Sequence, residues 1–339
     1  MTSKPVRLTQ RHIAELAGVS QAIVSLVVSG RTDATTRVSE PTRRRVLRVI
    51  EETGYSVDPA ARMLAGRSNA LIGVFTYESA FPRESSDFYA PLLRGVESAA
   101  EALGQDLLLF TSSRTQDGRR RLLHEGSRLR MADGCVLLGR EMNGGELSAL
   151  VDRGFPFVAV GRRDGDERIP YVGAAYCATV TELVTLAIER GHRRFGYVRL
   201  PYDSESTRDR LESFRSAVDQ AGAEAVITAS APKNPDGVLD ELAASDVTVV
   251  FVEDPEEASG IARSNRSADR PLSLVALGES DSQHNEATPI THLSAPRAEI
   301  GAQAVRMLTS ILSGDDVPRR VLLPCAIVYP DATLGRAAT

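Results

Sequence analysis

The chain has 339 residues, of which 42% are hydrophobic and 25% charged, with a formal net charge of −5. It is too long for one compact core, so more than one domain is expected. No apolar run approaches the roughly 20 residues of a membrane span, which excludes a transmembrane protein of the helical kind. The start, Met1 to Arg11, has no apolar h-region, so a cytoplasmic, nucleoid-associated address is expected. Cys135, Cys177 and Cys325 lie far apart without CxxC spacing and read as reduced core thiols rather than metal ligands. Charge is uneven: residues 1–68 carry 11 Lys and Arg against 6 Asp and Glu, whereas the rest carries 29 against 39. A basic arm on an acidic body points to a polyanionic partner for the arm alone.

Residues 8–28 predict two short helices. Thr9 is a plausible N-cap, and Ile13, Ala14, Leu16 and Ala17 form an apolar face at helical spacing. Gly18 ends that helix, since glycine accepts a left-handed C-terminal position. Val19 turns inward and Ser20 caps the second helix, whose Val24, Val27 and Val28 face the first. This is the layout of a helix-turn-helix. The outward face of its second helix carries Ser20, Gln21, Ala22 and Ser25. At the N-terminal end of a recognition helix such residues reach base edges in the major groove. Gln21 can pair bidentately with adenine and Ala22 can touch a thymine methyl. An ordinary helical hairpin with a polar outer face fits the same residues.

A third helix is marked by Ser39 as cap and by Glu40 and Pro41 in its first turn. Val46, Leu47 and Ile50 are its expected buried stripe, Gly54 its stop, and Arg43, Arg44, Arg45 and Arg48 its exposed basic residues. The Ala-rich stretch from Asp58-Pro59 to Gly66 is too short to be a stable helix alone in water, and could form on a partner surface.

After Ser68 the pattern changes. Apolar runs at Leu71–Phe75, Leu107–Phe110, Cys135–Leu138, Phe157–Val160, Gly196–Val198, Thr248–Val252 and Leu274–Leu277 alternate with helical stretches such as Leu92–Leu103, Ala178–Arg190 and Glu212–Ala221. Alternation of this kind argues for parallel sheets flanked by helices, here in two α/β lobes. No GxGxxG or GxxxxGK[ST] string occurs, and no nucleophile elbow or zinc-ligand spacing. The chain is therefore not expected to be an enzyme, and no cofactor or metal is expected.

Four strings in the arm carry a resemblance: Ala17-Gly18-Val19-Ser20, Val38-Ser39-Glu40, Glu52-Thr53-Gly54-Tyr55, and Ala60-Ala61-Arg62-Met63-Leu64-Ala65-Gly66-Arg67. In order and spacing they resemble the headpiece and hinge of LacI/GalR (lactose-repressor) family regulators. Further on, Leu92 to Glu97, Ala132-Asp133-Gly134, Gly191 to Val198, Arg210 to Arg215 and Leu322-Leu323-Pro324 resemble the same family's core. The resemblance implies an all-α helix-turn-helix headpiece over 1–57, a hinge over 58–68, and over 69–339 a periplasmic-binding-protein-like core of two parallel-sheet lobes. The segment from about Pro296 should cross back to the first lobe and mediate dimerisation.

What the resemblance implies for the site is specific. Thr9, Ser20, Gln21, Ala22 and Ser25 would meet DNA, with Arg31 and Arg37 added from an unusually long loop. Ala61 and Leu64 would enter the minor groove, Leu64 as the wedge between central base steps. Two departures bear on the operator: Ile23 stands where the family usually has threonine, and Leu26 where it has arginine, so the common guanine contact is lost. In the core, Phe88, Tyr176, Arg210, Glu253, Asp254 and Asp281 (with Ser280) would line an effector cleft. Ala175-Tyr176 replaces the usual Asp-Asn, and Glu253 replaces Asn. Both changes remove groups that recognise sugar hydroxyls and argue against a simple hexose. His192 is expected to organise a helix-to-strand turn.

The implied partners are a double-stranded, near-palindromic DNA operator, a small-molecule effector, and a second copy of the chain in a homodimer or higher oligomer. No membrane is among them. A regulator with a vestigial, ligand-independent cleft and a transport-type solute-binding protein are the alternatives. The headpiece and the missing signal peptide count against the latter.

Overall fold

The structure, a computed structural model, describes residues 8–29, 38–55, 68–79, 88–111, 115–116, 119–231, 233–266, 271–279 and 289–337. The chain divides into two compact units, Met1–Asn69 and Ala70–Thr339.

The first unit contains α1 (Gln10–Ala17), α2 (Gln21–Ser29) and α3 (Glu40–Thr53). Thr9 caps α1 in a reciprocal box with His12, and Gly18 closes it in the left-handed conformation at φ 61°. Ser20 Oγ accepts from Ile23 N at 3.4 Å and so starts α2. The break between the two helices bends the chain by 105°, within the range of a helix-turn-helix. Ile13, Ala14, Ala17, Val24, Val27 and Val46 form the core, with Val19, Val28, Val49 and Ile50 packed against it.

Two residues expected in that core are outside it. Leu16 is 61% exposed and Leu47 45%. In α1 the buried arc is centred between Ile13, Ala17 and Ala14, and at about 100° per residue Leu16 falls on its flank. In α3 the buried stripe runs through Val46, Val49 and Ile50, and Leu47 is rotated out of it.

The second unit is a pair of α/β lobes. The first holds a parallel sheet of order β13-β7-β6-β5-β1-β2, built from β1 (Leu71–Thr76), β2 (Asp106–Phe110), β5 (Gly134–Leu138), β6 (Phe157–Val160), β7 (Tyr171–Ala175) and β13 (Arg320–Pro324). The second has order β14-β12-β11-β10-β8-β9, from β8 (Arg194–Arg199), β9 (Glu224–Ala229), β10 (Val249–Val252), β11 (Ser273–Ala276), β12 (Thr291–Ser294) and β14 (Ala326–Val328). It is parallel except for the antiparallel edge pair β12 and β14. A small ribbon, β3 (Thr115–Gln116) with β4 (Arg119–Arg120), stands apart.

Helices α4 (Ala90–Ala102), α5 (Gly144–Asp152) and α10 (Arg297–Ser313) belong with the first sheet, and α6 (Tyr176–Glu189), α7 (Glu205–Gln220), α8 (Pro235–Ala244) and α9 (Pro255–Asn265) with the second. The central strands β5, β6 and β10 are buried along their whole length, as expected for a sheet covered on both faces.

The chain crosses between the lobes after β7, after β12 and after β13. The return of α10 to the first lobe was expected from Pro296 onward, and α10 packs against α4, β5, β6 and β7. That packing is close because Gly95 and Gly301 face backbone: a Cβ at Gly95 would lie 1.8 Å from Ala298 O, and one at Gly301 2.2 Å from Leu92 O.

Other sequence expectations need correction. The helix anticipated from Glu212 begins seven residues earlier, at the Ser204 capping box. Strands β7, β9, β12, β13 and β14 were not anticipated. β9 and β13 lie at sheet edges with half-exposed patterns, β12 reads Thr-His-Leu-Ser, and β7, though buried, reads Tyr-Val-Gly-Ala-Ala, so their apolar signals are weak. Of the three thiols expected in the core, Cys135 is buried and Cys325 half-buried, but Cys177 is exposed, because it sits in the first turn of α6.

Candidate functional site

The headpiece presents its candidate DNA contacts together. Thr9, Ser20, Gln21 and Ala22 are exposed and Ser25 is half-buried, at the N-terminal end of α2 and the cap of α1. The Thr9 hydroxyl already serves α1, accepting from His12 N at 3.4 Å and lying 2.9 Å from His12 Nδ1. Arg43, Arg44, Arg45 and Arg48 are all exposed on α3, with Arg44 paired to Glu40 at 3.6 Å. Arg31, Arg37, Ala61 and Leu64, and with them the long loop and the hinge, lie outside the described residues.

The second site is a cleft between the lobes, enclosing about 1080 Å³ open to solvent. It sits where the strands of both sheets end and the helices begin, the usual ligand position of an open α/β sheet. Gly139 follows β5, Gly161 follows β6, Leu200 follows β8 and Leu277 follows β11, and all four line it. Phe88, Tyr176, Arg210, Glu253 and Asp254 line it too, so five expected effector residues converge here. Asp281 and Ser280 lie outside the described residues.

The polar groups of the cleft are engaged in specific ways. Glu253 is 1% exposed and Arg210 8%. Glu253 Oε1 accepts from Tyr197 OH at 2.8 Å, and Oε2 from Leu200 N at 2.7 Å. Arg210 Nε stands 3.5 Å from Glu253 Oε1, Nη1 donates to Leu277 O at 3.2 Å, and the guanidinium lies 5.2 Å from the Tyr176 ring centre. Burial opposes the charge on Arg210, yet the adjacent Glu253 raises its pKa above the ordinary value. Burial, reinforced by Glu253, raises the Tyr197 phenol. Asp254 Oδ1 accepts from Glu256 N at 2.8 Å and Glu257 N at 3.1 Å, capping α9.

Sequence reasoning missed four further arginines here: Arg140, Arg162, Arg163 and Arg297. Arg162 forks onto Asp209 with bonds of 3.0 and 2.6 Å, and Arg163 reaches Glu205 at 3.0 Å; both pairs tie the first lobe to α7 of the second. Arg140 and Arg297 flank Phe88, their guanidinium carbons 4.8 and 5.4 Å from the ring centre. The Arg162-Arg163 pair immediately after an apolar strand was a readable signal, because a strand's C-terminal end in such a sheet is where ligands bind. Arg140 and Arg297 carried no such mark.

His192 is buried between α6 and β8, its Nδ1 2.9 Å from Thr248 Oγ1 and its Nε2 3.0 Å from Gly335 O. Its ring thus links the turn after α6 to Thr248 and to the C-terminal segment at Gly335. Among the described residues no group of His, Cys, Asp and Glu could hold a metal ion, and no single helix is long and apolar enough to cross a membrane.

Comparison with known proteins covers both parts of the chain. The lacI family of bacterial regulatory proteins matches residues 9–58, and a periplasmic binding protein-like domain matches residues 184–332. The HTH-type transcriptional regulator CelR of Thermobifida fusca is 30% identical over 94% of this chain and 96% of its own. A solved CelR–cellobiose complex superposes with a TM-score of 0.66 at 25% identity, over 97% of this chain and 100% of that one. The lac repressor dimer bound to operator and the anti-inducer ONPF has the same fold, with a TM-score of 0.76 at 20% identity over 97% and 99% of the two chains. With a helix-turn-helix unit, a two-lobed core and a relative of this identity over nearly its full length, the chain belongs to the LacI family and is a DNA-binding regulator of transcription.

Proposed function

We propose that the protein acts in the cytoplasm as a homodimeric repressor that binds a near-palindromic operator, with affinity set by a small effector in the interlobe cleft. The observation that carries this reading is the pairing of an exposed Gln21-Ala22 at the start of α2 with a cleft lined by Phe88, Tyr176 and Arg210. One short recognition helix reads too few base pairs for specificity, so two-fold symmetry and inverted half-sites follow. The hinge stretch around Ala61 and Leu64 is too short to be helical alone, and two copies would fold against each other on the operator. Two Leu64 side chains would then wedge into one central step, at a cost of a few kcal/mol repaid by contacts that bending permits. Lobe closure on an effector would change the spacing of the hinges and so favour or forbid the paired state.

The test compares wild type with Leu64→Ala by DNA bending and by titration on operator and random DNA. Operator affinity and bending should fall more than nonspecific affinity, with effector affinity of the free core nearly unchanged. Equal bending and equal specificity ratios would refute the hinge mechanism.

A further inference from the structure

The cleft is rich in hydrogen-bond donors, and several of its acceptors are already engaged. Both Glu253 oxygens are taken by Tyr197 and Leu200, and Asp254 is turned to the backbone of α9. Neither Glu253 nor Asp254 Oδ1 is free of a backbone or phenol donor. Five arginines line the cleft: Arg140, Arg162, Arg163, Arg210 and Arg297. Arg162, Arg163 and Arg210 each have a carboxylate beside them, in Asp209, Glu205 and Glu253. For the Arg297 guanidinium no carboxylate and no hydrogen-bond acceptor stands within reach among the described residues. It spans the cleft, 5.4 Å from the Phe88 ring centre in the first lobe and 3.9 Å from where a Cβ on Gly278 of the second would lie.

Arg140 faces the same ring, its guanidinium carbon 4.8 Å from the ring centre. Buried Arg210 also leaves its Nε–H without a hydrogen bond. The N-terminal ends of α4, α6, α7, α9 and α10 open at the cleft and add positive potential.

We infer that the effector is a small organic anion, a carboxylate or a phosphate monoester, whose charged group is gripped by Arg297 opposite Phe88. This rests on the reading of the cleft as an effector site. A planar guanidinium with unused donors matches both anions bidentately. Held by Arg297 opposite Phe88 and Gly278, the anion would touch both lobes and would thereby favour closure.

The experiment is calorimetric titration of the full chain with inorganic phosphate and acetate as bare groups. Glucose 6-phosphate and glucuronate follow, with glucose and cellobiose as neutral counterparts; each ligand is also tested for its effect on operator affinity. Saturable binding of phosphate and glucose 6-phosphate would identify a phosphate monoester, and of acetate and glucuronate a carboxylate. In either case Arg297→Gln should weaken the anion by about tenfold or more, roughly 1.4 kcal/mol, while Arg297→Lys should retain part of the affinity. Unchanged melting temperatures of the two ligand-free variants would show that they fold.

Three results would overturn the inference: no saturable binding of any anion, anion binding that persists in Arg297→Gln, or a neutral sugar bound more tightly than its anionic counterpart. Cellobiose that binds independently of Arg297 and shifts operator affinity would overturn the anion and leave the effector reading standing. If no ligand binds and none alters operator affinity, both readings fall.

Discussion

Arg210 and Glu253 depend on each other. A buried carboxylate that loses its cation is left with an uncompensated charge, which costs about 3–5 kcal/mol. Arg210→Ala should therefore lower the melting temperature of the protein before any ligand is added. Adding Glu253→Gln to that variant should recover part of the loss, because Tyr197 and Leu200 then face a neutral amide. A double-mutant cycle by denaturant unfolding checks this, and additive losses would show that the two side chains are not coupled.

The residue scale also shows what could be read from the chain alone. Phe88, Tyr176, Arg210, Glu253 and Asp254 were all legible, because each stands in a string with recognisable neighbours. What each side chain bonds to was not. Glu253 looked like a lost sugar contact, whereas its oxygens are spent on Tyr197 and Leu200. Those partners lie 56 and 53 residues away in the chain, beyond any local pattern.

At the scale of elements, the contact of α4 with α10 sets the first lobe, and Gly95 and Gly301 permit it. A methyl group at either would meet a backbone carbonyl that cannot swing aside. Gly95→Ala and Gly301→Ala should each destabilise the core by about 1–3 kcal/mol or more, as overpacking does. Gly144→Ala, with open space around the new Cβ, is the control and should be close to neutral. Equal melting temperatures in all three would contradict the close approach.

The turn between α6 and β8 has its own pH signature. Burial lowers the pKa of His192 below its ordinary value of 6.5. The unfolded chain then takes up this proton more readily than the folded one. The stability due to neutral His192 is full above about pH 6.5 and is lost as pH falls through the depressed folded value. Acidification from about pH 7.5 to 5.5 should lower the melting temperature of wild type more than that of His192→Gln. Parallel slopes would show that the imidazole is not titrating.

The most legible elements were β5, β6 and β10, which are continuous apolar runs, and α1 and α3, which have a cap residue at the start and a left-handed glycine at the end. The edge strands β9, β13 and β14 escaped because a half-exposed strand carries a weaker apolar signal, and the interior β7 and β12 because Tyr-Val-Gly-Ala-Ala and Thr-His-Leu-Ser are rich in small or polar residues. Leu16 and Leu47 were misplaced because a short apolar cluster leaves open which arc of the helix faces inward.

For the whole molecule, the division of charge matches a division of labour. The first 68 residues are basic and the remainder acidic, so attraction to a polyanion is confined to the arm. Binding should weaken steeply with added salt as phosphates displaced from the arginines regain their counterions. The central claim, that α2 of the arm reads bases as one half of a symmetric pair, is tested most directly by selecting bound DNA from a random pool with wild type and with Gln21→Ala. Wild type should recover an inverted repeat, and Gln21→Ala should lose preference at one position in each half-site, by about 1–3 kcal/mol for a bidentate contact. A recovered motif without inverted symmetry, or one identical in the two proteins, would contradict it.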